Sequence, residues 1–300
     1  MIWTSESLFA KAKLFYSKAQ DAGVDSPDFA LNSALSLELL SRSALSYVSP
    51  VLNADPQNEG QNILFALGFP LKKGFPRSIP FHSVTIRLEQ IVDNYQKKAC
   101  REFSEYFAGL RNEELHTGGA PFENLKNSEW LPKFYQTVAV LCEFMKKDID
   151  EIVGDDAEHA LELIKDQEES DNSKAKEKIG IAKAAFGKLS KQQQEAKTLL
   201  AATDPTHGRW GYSKVTCPAC SSDAALYGIR SKTSEPQYDG GLFCSVTFKA
   251  TKLVCKACAL ELSPTPELIA AGVNISFTER EDLDLHDYFQ PEYPDDYGNM

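Results

Sequence analysis

No run of apolar residues in this chain approaches the ~20 that a membrane-spanning helix needs. The most apolar stretch, Thr137 to Phe144, is far shorter. The first residues, MIWTSESLFAKAKLFY, lack the basic start and apolar core of a secretory signal. A cytoplasmic protein with no membrane partner is the expectation. Surplus positive charge is missing as well. Thirty-two Lys and Arg face 43 Asp and Glu, a formal net charge of -11. That disfavours general polyanion binding, because phosphate contacts draw on Lys and Arg. The imbalance is local: from Thr278 onward eight acids face one arginine, which accounts for -7 and leaves a nearly balanced body. Glycine-rich phosphate loops, Ser/His/Asp hydrolase signatures and internal repeats are absent. His82, His159, His207 and His286 have no recognisable partner spacing.

What is present reads as a globular chain. Its 300 residues are 42% hydrophobic, enough for a buried core and for about two domains at roughly 150 residues each. The first half has helical periodicity. Thr4 or Ser5 can cap a helix to about Ala22, and Ser26-Pro27 is an N-cap with proline at the first helical position. Phe29, Leu31, Ala34, Leu35, Leu37, Leu39 and Leu40 then supply an apolar face ending near Pro50. A Gly-, Pro- and Asn-rich stretch, Asn53 to Pro80, holds one short helix near Ile63 to Leu67. Helical patterns return from His82 to Tyr95, from Lys97 to Leu115, and from Asn127 to Val153. The fold class expected is mainly α. A helical bundle over 1–153 precedes a charged helical linker over 154–205, weakened around Asp171 to Ser173, and a small β-rich zinc ribbon over 206–276. An acidic tail over 277–300 follows.

The ribbon expectation rests on two pairs, Cys217-Pro-Ala-Cys220 and Cys255-Lys-Ala-Cys258, separated by 34 residues. Each pair can present two thiolates from one tight turn, and two such turns complete a tetrahedral metal site. β-prone runs at Lys214–Thr216, Ala224–Arg230, Leu242–Val254 and Ala259–Leu262 suit its hairpins. Two metal-free reduced pairs are the alternative. A redox pair, however, works alone and normally opens a helix in a βαβ setting. Four thiolates leave no open coordination position, so a zinc ion here is structural, not catalytic. Cys100, Cys142 and Cys244 read as small buried apolar residues.

A second constellation is Arg111-Asn112-Glu113-Glu114-Leu115-His116, followed by Thr117-Gly118-Gly119. Asn112 and His116 are four apart, so on a helix they share a face and the amide can orient the imidazole. Arg111 and His116 are five apart, about 140° around a helix. They act on one atom only if the helix ends between them or a second subunit brings the two faces together. Histidine exchanges protons near neutral pH, and arginine holds phosphate bidentately. Together they suit RNA cleavage by transesterification without a catalytic metal. The same residues also fit a plain helix end with a dipole-favourable histidine and a solvated Arg–Glu pair.

With these residues the first half resembles the HEPN domain, a helical-bundle fold shared by toxin, CRISPR-effector and antiviral ribonucleases. The Arg-Asn-x-x-x-His motif matches that family's pattern near the end of a helix, and Ala30 to Val48 resembles its second helix, with Glu38 in an apolar setting. The resemblance covers roughly 1–153. It implies a homodimer with two Arg/His pairs across one cleft, and an endoribonuclease that leaves a cyclic phosphate. In that reading Arg111 binds the scissile phosphate, His116 is the acid and base, Asn112 orients it, and Glu38 assists. Glu38 also fits a plain salt bridge to Arg42, four residues on. The function expected is antiphage defence or toxicity. RNA is the substrate, a phage-derived or protein trigger activates, and the zinc ribbon recognises either. A non-catalytic HEPN-like dimer using the ribbon as an adaptor is the competing class. The tail intersperses acids with Leu283, Leu285, Tyr288, Phe289, Tyr293 and Tyr297. It suits a solvated end, a cover for a basic cleft, or a partner site.

Overall fold

Thr4 and Ser26 act as their positions predict. In the structure, a computed structural model that describes residues 2–57, 59–71 and 73–284, each caps a helix through its side-chain oxygen. Thr4 accepts from the Ser7 N–H and starts α1 (Ser5–Ala22), and Ser26 accepts from the Asp28 N–H and starts α2 (Pro27–Val48). After a 3-10 turn at Pro50–Asn53 come α3 (Gln61–Ala66), α4 (Phe81–Ile91), α5 (Asp93–Lys97) and α6 (Cys100–His116). A second 3-10 turn, Pro121–Asn124, leads to α7 (Asn127–Phe144), α8 (Asp150–Val153) and α9 (Ala157–Gly187). The final helix expected to reach Val153 stops at Phe144. Lys146 adopts a left-handed φ of 58°, and the Lys147 N–H donates back to the Cys142 carbonyl at 2.9 Å. Lysine in that conformation gives no sequence warning, since glycine is the usual signal.

The chain divides into two compact units, Met1–Ser173 and the part from Lys174 onward. In the first, α2 packs against α1, α4, α6 and α7. Its core is aromatic. Phe107 stacks on Trp130 with ring centroids 4.9 Å apart, Tyr16 stacks on Phe134 at 5.7 Å, and Phe29 meets Trp130 at 5.5 Å. Rings of this size dominate core burial energetics. One polar seam runs through it: the Tyr16 hydroxyl lies 3.0 Å from that of Tyr135 and donates to Asp156 at 2.8 Å. Burial pushes the Cys100 and Cys142 thiols up to about 12, in keeping with inert packing.

The second unit contains the end of α9, α10 (Lys191–Ala202) and an antiparallel sheet. Its strands are β1 (Tyr212–Thr216), β2 (Asp223–Thr233), β3 (Gln237–Tyr238), β4 (Leu242–Val254), β5 (Glu261–Leu262) and β6 (Ser276–Asp282), with α11 (Thr265–Ala270) before the last. The order is β1-β2-β4-β3, with β5 and β6 also pairing β4. Helix runs unbroken through Asp171 to Ser173, and the break falls instead before Ser190, which forms a capping box with Gln193. The stretch expected as a solvated linker is partly buried: Ile179, Ala182 and Phe186 join the second unit's core. Their spacing of three and four residues places them on one helix face. Glu267 fixes α11 to α9 by accepting Lys178 on both oxygens at 2.7 Å. Residues 277–282, expected in the tail, belong to β6, where Phe277 pairs with Phe248 and Glu281 with Cys244. The tail's Leu285, Tyr288, Phe289, Tyr293 and Tyr297 lie outside the described residues.

Gly228 marks the tightest point in this sheet. Phe248 and Phe277 stack at 5.3 Å over it, and a Cβ there would lie 2.8 Å from the Phe277 ring and 2.9 Å from Phe248. Gly228→Val is therefore expected to destabilise the second unit by about 1–3 kcal/mol through overpacking. Urea denaturation followed by sheet fluorescence checks this, and an unchanged midpoint would contradict it.

Candidate functional site

The four predicted cysteines come together. Cys217, Cys220, Cys255 and Cys258 place their sulfurs within 4.8 Å of one another. The closest approaches cross between the two pairs: Cys217 to Cys258 at 3.6 Å and Cys220 to Cys255 at 3.6 Å. Metal–sulfur bonds of ~2.3 Å in a tetrahedron require sulfurs about 3.8 Å apart, so the cluster has the size for one ion such as zinc.

Two copies of one local fold build this geometry. Cys217 follows the last residue of β1, and Cys255 follows the last residue of β4. In each copy the first cysteine's N–H donates to the carbonyl five residues on, Cys217 to Ser222 at 2.8 Å and Cys255 to Leu260 at 2.9 Å. The residue after each second cysteine is left-handed, Ser221 at φ 61° and Ala259 at φ 59°. These turns feed β2 and β5, which pair with the strands that lead in. The sequence spacing predicted the two turns, but not their shared backbone conformation. That conformation falls on serine and alanine, where glycine would have been the signal.

The donor chemistry fits a cation. Thiol hydrogen bonds from Cys255 and Cys258, with backbone N–H groups of Cys220 and Ala219, hold the Cys217 thiol far below its ordinary range. The same crowding pushes Cys255 and Cys258 up. Four sulfurs this close ionise together only around a positive charge, and a coordinating cation deprotonates thiols outright.

The Arg/His constellation sits in the first unit. α6 continues without a break through His116, so the helix does not end between Arg111 and His116. The two side chains diverge accordingly. Arg111 is 9% exposed and turned into the bundle, whereas His116 is exposed on the last turn. Arg111 pairs with Glu38 of α2 through a close Nη1–Oε2 contact. It also donates to Asn112 Oδ1 from Nη2 at 2.7 Å. The expected Asn112–His116 hydrogen bond is not among those formed by the described residues. Asn112 orients the guanidinium and not the imidazole: its Oδ1 accepts from both Nε and Nη2 of Arg111.

Glu38 is the hub of this arrangement. Its Oε1 accepts from Arg42 at 2.9 Å and 3.0 Å, the salt bridge its spacing suggested, while Oε2 takes Arg111 as well. Arg42 donates further to the Ile79 carbonyl at 3.1 Å. Burial lowers the Arg42 guanidinium to about 10 and lowers that of Arg111, yet both stay charged at neutral pH. Sequence spacing pointed to Arg42 only as a partner for Glu38. Its bridging role, which depends on a carbonyl 37 residues away, had no local signal. His82, which had no sequence partner, meets Glu105 at 2.9 Å.

Comparisons with protein-family models, with curated proteins and with solved structures found no match for this chain. The HEPN resemblance therefore rests on the motif and the bundle alone. Of the described residues 59% are helical, with a helical first unit and a curled antiparallel sheet in the second, a mainly-α fold with a small β domain. Among the described residues no helix is long and apolar enough to cross a membrane.

Proposed function

We propose that this chain is a metal-independent endoribonuclease acting in antiphage defence or as a toxin. In this reading the first unit is a HEPN-like bundle, and the four-cysteine centre holds one structural zinc ion. The observation that carries the reading is a division of labour on α6. Arg111 is oriented by Glu38 and Asn112, while His116 stands exposed one turn and a half further on. Because the helix is continuous, one chain does not aim both groups at one phosphate, and a homodimer supplies the missing half.

The chemistry follows from the two side chains. An imidazole of His116 takes the proton of a ribose 2′-hydroxyl as its oxygen attacks the adjacent phosphorus. The Arg111 guanidinium stabilises the charge that builds on the phosphorane oxygens. The P–O5′ bond then breaks, the leaving oxygen takes a proton from an imidazolium, and the products are a 2′,3′-cyclic phosphate and a 5′-hydroxyl. The ribbon recognises RNA or a phage-derived or protein trigger.

One observation favours the adaptor reading instead. The Arg111 charge is already satisfied within the chain, as a purely structural arginine would be. Expressing wild type and His116→Ala and mapping RNA ends decides between them. The nuclease reading expects cleavage by wild type, with cyclic-phosphate ends, and a loss of at least about a hundredfold on removing the imidazole. Equal end patterns from both proteins would leave the adaptor reading standing.

A further inference from the structure

Phe75 is the most exposed of the large apolar side chains among the described residues, at 92%. It lies in the loop between α3 and α4, flanked in sequence by Lys73 and Arg77. Neither cation has an ion-pair partner among the described residues. These three side chains, with Asp55, Gln57 and Asn62, line an open cavity of about 620 Å³. A bare aromatic ring beside two unpaired cations has no role in the packing of the bundle.

The cavity is nevertheless firmly framed. Asn62 is only 2% exposed, and its single amide holds both rims. Nδ2 donates to the Asp55 carbonyl at 3.1 Å, and Oδ1 accepts the Arg77 N–H at 2.9 Å. The Asp55 N–H donates to the Arg77 carbonyl at 3.1 Å, the Ile79 N–H donates to Asn53 at 2.9 Å, and Ala54 bridges to Ser78. Gly74, at φ 78°, supplies the turn at the tip. The frame continues to the site already described: Arg42 donates to the Ile79 carbonyl and pairs with Glu38, which holds Arg111.

The geometry points to a binding site for one nucleotide of single-stranded RNA: its base stacks on Phe75, its phosphate lies against Lys73 and Arg77, and its polar edge faces Asp55 and Gln57. An unstacked base needs an aromatic face and hydrogen-bonding groups for its edge, and its backbone needs mobile cations. All three occur here within one concave surface. The concave lining, with Asp55 and Gln57 set to meet the polar edge of a base, fits a single splayed nucleotide better than a flat layer of lipid headgroups. The site rests on the ribonuclease reading for the choice of RNA as ligand, and it places the bound strand on the scaffold that carries Arg111.

The test uses the full chain with His116→Ala, so that bound RNA is not cut. Binding of a fluorescein-labelled, mixed-sequence single-stranded RNA is followed by anisotropy at several salt concentrations. Phe75→Ala is expected to weaken binding about tenfold, the loss of one stacked base. Arg77→Gln is expected to reduce the slope of log affinity against log salt by about 0.7, one phosphate contact on a single strand. Both positions are on an exposed loop, and unchanged melting will show that the variants fold. The proposal is overturned if the parent binds no RNA or if both variants bind like the parent. It is also overturned if Phe75→Ala loses affinity for phosphatidylserine vesicles and not for RNA. If the chain with His116 intact cuts no RNA but Phe75→Ala still weakens binding, the nuclease reading falls and the nucleotide site stands. If it cuts RNA while Phe75→Ala binds normally, the site falls and the nuclease reading stands.

Discussion

Replacing Cys255 and Cys258 together by serine is expected to strip the metal from the protein and unfold the sheet of the second unit. The reason lies in how little else holds that unit. Among the described residues its buried cluster contains Ala182, Ala201, Ala219, Ala224, Ala250 and Ala257 beside five leucines, Leu226, Leu253, Leu260, Leu262 and Leu268, with Ile179, Phe186 and Phe277 only partly buried against it. Alanines bury little apolar area, and at ~25 cal/mol per Å² this core contributes modestly. Cys217, Cys255 and Cys258 are themselves buried within it, so an ion bound by them would sit where larger side chains would otherwise be. Apparent binding free energies of structural zinc sites are on the order of 10–16 kcal/mol at neutral pH, and such binding is folding free energy. Native mass spectrometry should find one ion per chain in the wild type and none in the double variant. Amide exchange along β4, slow in the wild type, should become fast in the variant and after chelation. A sheet that keeps its protection after chelation would show that the cysteines pack without a metal.

The second large effect is expected at Glu38. Glu38→Ala leaves the guanidinium groups of Arg42 and Arg111, with side-chain exposures of 13% and 11%, without their carboxylate. An uncompensated buried charge costs about 3–5 kcal/mol, and the remaining contact with water places this case near the lower end. For a unit of this size about 3 kcal/mol corresponds to roughly 10 °C in Tm. A triple variant, Glu38→Leu with Arg42→Met and Arg111→Leu, separates stability from function. Replacing an ion triad by apolar side chains of similar volume is often neutral or stabilising. The triple variant should therefore melt within about 3 °C of wild type and, on the proposed ribonuclease reading, lose RNA cleavage. If Glu38→Ala melts like wild type, the Glu38–Arg42–Arg111 triad is not a buried charge system. If the triple variant still cleaves, Arg111 is not the phosphate ligand.

These two sites differ in how far the sequence revealed them. The cysteine pairs were legible because a two-residue gap forces both thiolates to one side of a turn, whatever the surrounding fold. The helix starts at Thr4 and Ser26 were legible for a similar reason: a cap is a local hydrogen bond between residues two or three apart. Local chemistry failed where the deciding partner was distant. Phe277 and Glu281 belong to β6 only because β4, some thirty residues earlier, offers a free edge. Their acidic surroundings gave a tail-like composition instead.

At the Arg/His constellation the sequence by itself determined that Arg111 and His116 are five residues apart, about 140° around any helix that carries both. It also determined that four thiols can meet on one ion. Only the tertiary structure decided that α6 runs without a break to His116, so that the two groups diverge within one chain. It alone decided that Arg111 faces inward to Glu38, that Arg42 ties this pair to the loop at Ile79, and that Asn112 serves the arginine and not the histidine. The physical reason is range. Helical spacing and turn geometry act over a few residues and are written in order along the chain. The burial of a charge is settled by whichever distant side chain can neutralise it, and that depends on how the helices pack.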